Sequence, residues 1–302
     1  MTTLAVPLTA RPSPRTFTVA ALAALYLVWS STYLALRHVV TAMPPMFAGA
    51  LRFAAAGAVL FALQRLRGAP WPEARSWRPA AASGVAFFAL ANGVLGLAET
   101  RVSSGVAAVV FASTPVFVAA LGALHGERPS PRERVGIALG VAGVALLAAG
   151  SDLRSAGARG VLLLVSPLAW AVGTAIARRA KPASPVTFAA QQMVCGAAAM
   201  AVVSGALGER VSASVPMEAW AALGYLVVFG SVLGFSAYAY LVRHARPAVA
   251  TSYAYVNPAL AVLLGAAVDG EPLRATTFAS LSLVLAAVVT LCTKVGARAP
   301  RA

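Results

Sequence analysis

The sequence predicts an all-α polytopic membrane protein with ten transmembrane helices, and three observations support this fold class. Of the 302 residues, 60% are apolar and only 11% are charged, whereas soluble domains average about 45–50% apolar and about 25% charged residues. The apolar residues form ten runs, and a helix that spans a bilayer needs about 20 such residues. Because these runs do not alternate with polar residues, they favour helices over a transmembrane β-barrel.

The runs follow one another with short turns between them, and several turns contain proline and charged residues. The fifth run is short, so we expect its helix to borrow residues from both ends. The first run is too long for the core of a signal peptide, which favours a retained helix. The predicted spans are Thr18–Leu36, Met46–Leu63, Ala80–Leu97, Ser104–Leu124, Val135–Ala149, Gly160–Ala177, Val186–Leu207, Ala219–Val242, Ala248–Val268 and Thr276–Cys292.

The distribution of basic residues predicts the orientation and accounts for the formal net charge of +15. Most of the 24 lysines and arginines lie in the N-terminal tail and in the loops on its side of the membrane. Cytoplasmic loops carry such an excess, so the tails 1–17 and 294–302 are both predicted to be cytoplasmic. The basic residues form short clusters between apolar runs, so the lipid bilayer is the expected partner and nucleic acid is not.

Matching residues in the two halves of the chain indicate an internal duplication. Trp29 in the first run matches Trp170 in the sixth, and the other matched pairs are separated by nearly the same number of residues. Each half contains five runs, an odd number, so the second half must cross the membrane in the opposite sense. The sequence therefore predicts two inverted five-helix repeats, 18–150 and 151–293, an arrangement that recurs in secondary transporters. The further matches are Pro44 with Pro185, Phe47 with Phe188, Thr114-Pro115 with Asn257-Pro258, and Gly126-Glu127 with Gly270-Glu271.

Several motifs resemble those of the EamA-type drug/metabolite transporters and, within that family, of the YedA-like exporters. They are the stretch YLVWSSTY at 26–33, Pro44-Pro45, Leu51-Arg52-Phe53, SGVAAVV at 104–110, Gly126-Glu127, Phe229-Gly230-Ser231 and ATSYAYVNP at 250–258. The resemblance covers residues 18–293, and Ser30 stands where the family usually has glycine. It implies ten helices around a central cavity in the inner membrane. It also implies export of small organic solutes, such as drugs or amino-acid-like metabolites.

Two charged residues are expected within the membrane, Arg52 in the second run and Glu99 at the outer end of the third. A charge at mid-bilayer costs roughly 2.5–3.5 kcal/mol on insertion scales, and an Arg52–Glu99 pair would neutralise both groups. Such a pair is either an outer gate or anion-binding site whose partner is exchanged during transport, or a permanent structural ion pair. Asn92, also in the third run, is expected to hydrogen-bond across helices and to hold them together.

Two proline motifs lie near the middle of their runs, Thr114-Pro115 in the fourth and Asn257-Pro258 in the ninth. Proline lacks a backbone N–H, so it frees a carbonyl of the preceding turn beside a hydroxyl or an amide. In transporters such points serve as hinges and offer polar ligands to the solute. The alternative is a kinked helix that only packs against its neighbours.

Aromatic residues near the middle of the membrane complete the set of candidates. Trp29, Thr32 and Tyr33 fall on one side of the first run because of their i, i+3, i+4 spacing. Rings with a polar tip suit amphipathic or cationic solutes, whereas core packing is the alternative. The candidate binding and translocation residues are therefore Trp29, Thr32, Tyr33, Arg52, Asn92, Glu99, Thr114, Pro115, Trp170, Tyr253, Asn257 and Pro258.

The sequence lacks the motifs of an ATPase, a metal site or a hydrolase, since it has neither a Walker A loop nor an HExxH motif. We therefore predict a secondary carrier, not an enzyme, that needs no cofactor and moves a small-molecule substrate by alternating access. The sequence leaves two forms of energy coupling open, a facilitator and a proton-coupled exporter. In the proton-coupled form, Glu99 is the plausible intramembrane acid. A membrane-embedded enzyme or lipid scramblase, and a scaffold that transports nothing, are the alternatives.

Overall fold

A computed structural model describes residues 14–101, 104–149, 163–269 and 275–292, which form helices and turns without any β-strand. The helical segments of the first half are α1 (Pro14–Ala42), α2 (Pro45–Leu66), α3 (Ala74–Gly84), the π-helical π1 (Val85–Asn92), α4 (Gly93–Glu99), α5 (Ser104–Phe111), α6 (Thr114–Leu124) and α7 (Pro131–Ala149). Those of the second half are α8 (Val165–Ala180), α9 (Pro185–Ala206), α10 (Met217–Tyr225), the π-helical π2 (Leu226–Leu233), α11 (Gly234–His244), α12 (Pro247–Ala250), α13 (Tyr253–Asp269) and α14 (Ala275–Cys292).

Within the described ranges, six helices are long and apolar enough to cross a bilayer. One of them joins α3, π1 and α4, and another joins α10, π2 and α11. The prediction of an all-helical membrane protein is therefore confirmed. The six spans are Arg15–Ala42, Pro45–Leu66, Ala74–Glu99, Ala107–Leu124, Pro185–Ala206 and Met217–His244. The matched dipeptide Gly270-Glu271, the C-terminal tail and most of the N-terminal tail lie outside the described residues.

The helix ends differ from the hydropathy-based bounds because polar first turns continue the helices beyond the apolar runs. The third span begins at Ala74 rather than Ala80, and the fifth helix begins at Pro131, ahead of the apolar run. The segments α2, α9 and α12 all begin with a proline. Proline suits this position because its fixed φ matches the helix and a first-turn N–H has no partner within the helix.

Helix contacts are paired between the two halves of the chain. The most extensive contacts among the described residues join α2 to α9 and α7 to α14. In addition, α1 contacts α13 and α11, whereas α8 contacts α6 and π1. At the level of whole spans these contacts correspond, since α11 and π1 belong to the matched spans Met217–His244 and Ala74–Glu99. The π-helical segments also occupy matching places, since π1 and π2 have the same spacing along the chain as Trp29 and Trp170.

The crossing of α3 and π1 with α9 depends on two glycines that let the backbones touch. A Cβ atom at Gly84 would lie 2.2 Å from the carbonyl oxygen of Gln192, and one at Gly196 would lie 2.7 Å from the carbonyl oxygen of Gly84. Small residues at helix crossings allow such close approach in membranes. The two halves are therefore held together where neither helix has room for a side chain.

Ionic contacts at the helix ends also join the halves. The carboxylate of Glu209 accepts hydrogen bonds from the backbone N–H groups of Met46 (3.2 Å) and Phe47 (2.8 Å) at the start of α2. In the first turn of α7, the carboxylate of Glu133 accepts one from the Ser130 N–H (2.8 Å) and two from Arg246, whose Nη2 lies 2.7 Å away. Negative charge at a helix N-terminus is stabilising.

We expect Gly84→Ala to destabilise the protein strongly because the new methyl group meets backbone rather than a flexible side chain. Overpacking of this kind costs about 1–3 kcal/mol or more. The melting temperature of the purified protein in detergent measures the effect. Gly205→Ala in α9 is the matched control, since nothing lies within 4 Å of its added Cβ. Equal melting temperatures for the two variants would contradict the close crossing.

We expect Glu133→Gln to lower the stability by roughly 1 kcal/mol at neutral pH, because Arg246 is half exposed and solvent screens the pair. Burial raises the pKa of Glu133, but hydrogen bonds from Arg246 and Ser130 outweigh burial and hold that pKa below its ordinary value. Ionised Glu133 therefore contributes its full stabilisation of the fold above the ordinary carboxyl pKa. This stabilisation is lost as the pH falls through the lower pKa of the folded state. Melting curves from pH 7 to pH 3 should show the wild type and the variant converging. Glu73→Gln, which removes an exposed pair with Arg75, should change little at any pH.

Candidate functional site

A small cavity lies at the centre of the bundle, between helices of both halves. The space open to the centre of a water molecule is about 50 Å³, which is room for a few water molecules. It brings together most of the predicted candidate residues. Those that line it are Trp29, Thr32, Tyr33, Arg52, Asn92, Trp170, Tyr253 and Asn257.

Trp29 and Trp170, the matched residues of the two halves, touch each other at this cavity. Their ring centroids are 5.4 Å apart and the rings are perpendicular, at 89°. Tyr253 meets Trp29 edge to face as well, at 4.7 Å. The Trp170 Nε1–H donates to the Tyr238 hydroxyl (3.0 Å), which lies 2.6 Å from the Thr174 hydroxyl. Aromatic pairs of this geometry are worth about 0.5–1.5 kcal/mol each, so the rings form a rigid centre.

A side chain hydrogen-bonds a backbone carbonyl within each π-helical segment. The Trp29 Nε1–H donates to the Gly230 carbonyl in π2 (2.9 Å), and the Asn92 Nδ2–H donates to the Phe87 carbonyl in π1 (2.8 Å). The wider π turn leaves carbonyl groups less well paired, so these side chains complete the backbone pairing. The expectation that Asn92 bonds across helices is therefore wrong, because its own helix supplies the nearer acceptor.

The expected ion pair between Arg52 and Glu99 is not formed. Arg52 is 7% exposed, its Nε–H donates to the Ser231 hydroxyl (2.8 Å), and its guanidinium lies 4.7 Å from the centre of the Phe53 ring. Glu99 is 2% exposed, and within the described part of the chain neither of its carboxylate oxygens has a hydrogen-bond partner. Arg52 bonds to π2 of the second half instead of turning towards the end of α4. Arg52 and Glu99 are therefore both buried without a direct ion pair between them, although they remain electrostatic neighbours.

The two proline motifs differ in their relation to the cavity. In the fourth span the helix is broken at Ala112-Ser113, and Thr114 is fully buried with its hydroxyl donating to the Phe111 carbonyl (2.6 Å). Neither Thr114 nor Pro115 lines the cavity. Pro115 stands in the first turn of α6, where a missing N–H costs nothing.

In the ninth span the break comes earlier, at Thr251-Ser252, and Pro258 lies inside α13 without lining the cavity. Its neighbour Asn257 does line the cavity, and its Oδ1 accepts a hydrogen bond from the Ser30 hydroxyl (3.2 Å). The interruption of the helix therefore lies several residues before the proline in the second half, whereas in the first half the two are almost adjacent.

A second and wider cavity, here called the basic vestibule, lies next to the central cavity and has about 490 Å³ open to the centre of a water molecule. Its wall carries four basic residues, Arg178, Arg179, Lys181 and Arg243, and one acid, Glu127. These residues belong to the ends of helices and to a loop that the sequence places on the cytoplasmic side. Phe235 lines both cavities and separates them.

Sequence reasoning missed part of the central lining, namely Leu36, Phe53, Phe88, Leu95, Phe111, Gly230, Ser231 and Phe235. Ser231 and Gly230 carry a signal, because they belong to a motif shared with the resembled family. The phenylalanines carry none, since apolar rings occur throughout the spans. Within the described residues, no group of three or more histidine, cysteine, aspartate or glutamate side chains could hold a metal ion.

Comparison with known proteins identifies the family. The model of the EamA-like transporter family matches residues 16–149 and, a second time, residues 159–293. The chain belongs to the EamA-like transporter family. An Escherichia coli K12 protein named "Uncharacterized inner membrane transporter YedA" is 38% identical over 270 residues, which cover 89% of this chain and 88% of that protein. A WAT1-related chloroplastic protein of Arabidopsis thaliana is 28% identical over 286 residues, which cover 87% of this chain and 65% of that protein.

A solved crystal structure has the same fold as this EamA-like protein. It superposes with a TM-score of 0.76, covers 93% of this chain and 99% of its own, and is 22% identical in sequence. Together with the YedA relative and the apolar helices, the family match makes this chain a multi-pass inner-membrane protein of a transporter family. The resemblance inferred from the sequence motifs is confirmed.

We expect Gly234→Ala to displace the Trp29 ring, because the added Cβ would lie 2.2 Å from its Nε1 atom. The indole would lose its hydrogen bond to the Gly230 carbonyl and its fit against Trp170. The loss of stability should be about 1–3 kcal/mol, read from the melting temperature, and tryptophan fluorescence should shift. Gly224→Ala is the control, since nothing lies within 4 Å of its Cβ. An unchanged spectrum in Gly234→Ala would show that Trp29 does not hold this position.

Proposed function

We propose that this protein is a secondary transporter that exports small organic metabolites, amino-acid-like solutes or drugs by alternating access. One observation carries the proposal: the central cavity is lined from both halves, and the matched residues Trp29 and Trp170 meet there. A cavity at the interface of two related halves is where transporters built from repeats bind their solutes. Membership of a transporter family supports the same conclusion.

The proposed topology has ten crossings in two inverted units, residues 18–150 and 151–293, with both termini in the cytoplasm. The double match of the family model supports two related units. The exchange of helix contacts between the halves supports a two-fold relation between them. In this scheme α3, π1 and α4 form the third crossing, α5 and α6 the fourth, and α12 and α13 the ninth.

The two cavities suggest which state of the proposed cycle the structure represents. The basic vestibule is wide and lies on the side proposed to be cytoplasmic, whereas the central cavity has room for only a few water molecules. The rings of Phe235 and Tyr238 line the vestibule, and Phe235 also borders the central cavity. The proposed state is therefore one that faces the cytoplasm with the central site closed. A solute reaches that site when these rings move apart.

Energy coupling leaves two forms of the proposed mechanism. A proton-coupled exporter needs an ionisable group within the membrane, and Glu99 is buried with both carboxylate oxygens unpaired in the described structure. Its electrostatic neighbours are Arg37, Arg52 and Tyr33. A facilitator needs no such group. Flux under an imposed pH gradient separates the two forms, and Glu99→Gln removes the dependence on pH in the first form only.

The function is tested by growth of a sensitive strain on toxic amino acids, cationic drugs and sugars, with and without the protein. We expect the wild type to raise tolerance to at least one solute and Trp29→Ala or Asn257→Ala to abolish that gain. Trp220→Ala is the matched control, because this tryptophan is 42% exposed and lies outside the cavity. Flux of the solute into proteoliposomes then confirms transport. Tolerance that never changes, with no flux, would favour a scaffold.

A further inference from the structure

We propose that the transported solute is an organic anion with an aromatic or apolar body, and that its acidic group binds Arg52 in the central cavity. The inference rests on the proposed transport function and names the class of its substrate. Two separate observations carry it: Arg52 makes no direct ion pair in the described chain, and the charge around the basic vestibule is positive.

Arg52 is a buried cation that makes no direct ion pair in the described chain, and Glu99 is its electrostatic neighbour at a longer distance. Arg52 is 7% exposed, and in the described part of the chain no carboxylate lies within ion-pairing distance of it. Its Nε–H is bonded to Ser231, and the rest of the guanidinium belongs to the cavity wall. A buried charge is costly unless it is paired. The planar fork of arginine fits carboxylate, phosphate and sulfonate groups with two parallel hydrogen bonds, so an anion in the cavity supplies the missing partner.

The rest of the lining suits the body of such a solute and disfavours a cation. Trp29, Trp170 and Tyr253 present ring edges and faces, against which an aromatic or apolar group packs. Rings alone would also attract a cation. However, Arg52 is the only charged residue among the described residues that line this cavity, and Glu99 lies outside the lining, so a cationic solute would meet the like charge of Arg52 directly. The charge of the lining therefore favours anionic over cationic solutes.

The basic vestibule has the same sign. Four basic side chains line it, and its one acid, Glu127, lies 3.8 Å from Arg178, so the excess is positive. A cleft lined by one sign of charge raises the local concentration of the opposite ion and its rate of arrival. Phe235 is shared by both cavities, so the vestibule leads towards Arg52. An anion is favoured both on arrival and at the central site.

The anionic class also explains how export is driven without a second ion. The membrane potential of a cell is negative inside and acts on every charge that crosses. Outward movement of an anion is downhill in this potential. Transport of the anion is therefore electrogenic and needs no coupling ion.

The test uses purified full-length protein in liposomes with two permanently charged probes, benzenesulfonate and benzyltrimethylammonium. We expect saturable benzenesulfonate flux above that of protein-free liposomes and no flux of the cation. A tenfold potassium gradient with valinomycin should drive about tenfold accumulation of benzenesulfonate on the positive side. Neutral benzenesulfonamide should compete at least about tenfold less well than unlabelled benzenesulfonate, since a bidentate charged contact is lost.

Arginine variants link the selectivity to the site. Arg52→Gln should lose at least about tenfold of the benzenesulfonate flux, Arg52→Lys should keep part of it, and the exposed control Arg210→Gln should keep it all. The exposed pair Arg179→Gln with Lys181→Gln should raise KM at low salt and leave the maximal rate unchanged. These last variants test the vestibule even where Arg52→Gln lowers the folded yield, which melting curves report.

Specific outcomes would overturn the inference. They are benzyltrimethylammonium carried at the rate of benzenesulfonate, or Arg52→Gln carrying benzenesulfonate like the wild type. Flux of a cationic or neutral solute from the tolerance screen, without any benzenesulfonate flux, refutes the anionic class and leaves the transport function standing. No flux of any solute by folded wild-type protein refutes the transport function itself.

Discussion

The edge-to-face contact between Trp29 and Trp170 is the constraint on which the centre of the molecule depends. It joins the matched residues of the two halves and so fixes where α1 and α8 approach each other. Each indole N–H has an acceptor, the Gly230 carbonyl for Trp29 and the Tyr238 hydroxyl for Trp170. Because both polar tips are satisfied, the rings can be buried without an unpaired donor. The cavity is the space that these rings leave beside Arg52.

The contact requires room that the second half provides. A Cβ at Gly234 would lie 2.2 Å from the Trp29 Nε1 atom, and one at Gly230 would lie 2.9 Å from Arg52 Nη2. Glycine is thus needed at both positions so that a large side chain of the first half can reach the central axis. The close approach resembles that of small residues at other membrane helix crossings. Side chains that line the cavity from one half therefore depend on the absence of side chains in the other.

The sequence predicts the all-helical membrane fold, and six of its ten predicted spans correspond to long apolar helices of the described structure. It also predicts the central aromatic residues, because the i, i+3, i+4 spacing of Trp29, Thr32 and Tyr33 marks one face of a helix. The matching of the halves finds Trp170 independently. The position of Arg52 along its span cannot predict its hydrogen-bond partner, because a long side chain at that depth in the membrane can turn to either of two neighbouring helices. Hydropathy also contains no signal for the π-helical segments, since the residues of Val85–Asn92 would suit an ordinary α-helix equally well.

The separation of Arg52 from Glu99 is the least expected feature of the site, and it follows a physical logic if the protein binds anions. A permanent pair would neutralise both groups and would occupy two of the N–H donors of Arg52 that could otherwise bind a solute. Holding Arg52 against Ser231 keeps it buried but available, at a cost that the bound solute offsets. A carboxylate beside Arg52 would instead compete with every anionic solute for the same fork. Selection for anion binding therefore favours an acid that makes no direct ion pair with Arg52, which is how the structure places Glu99.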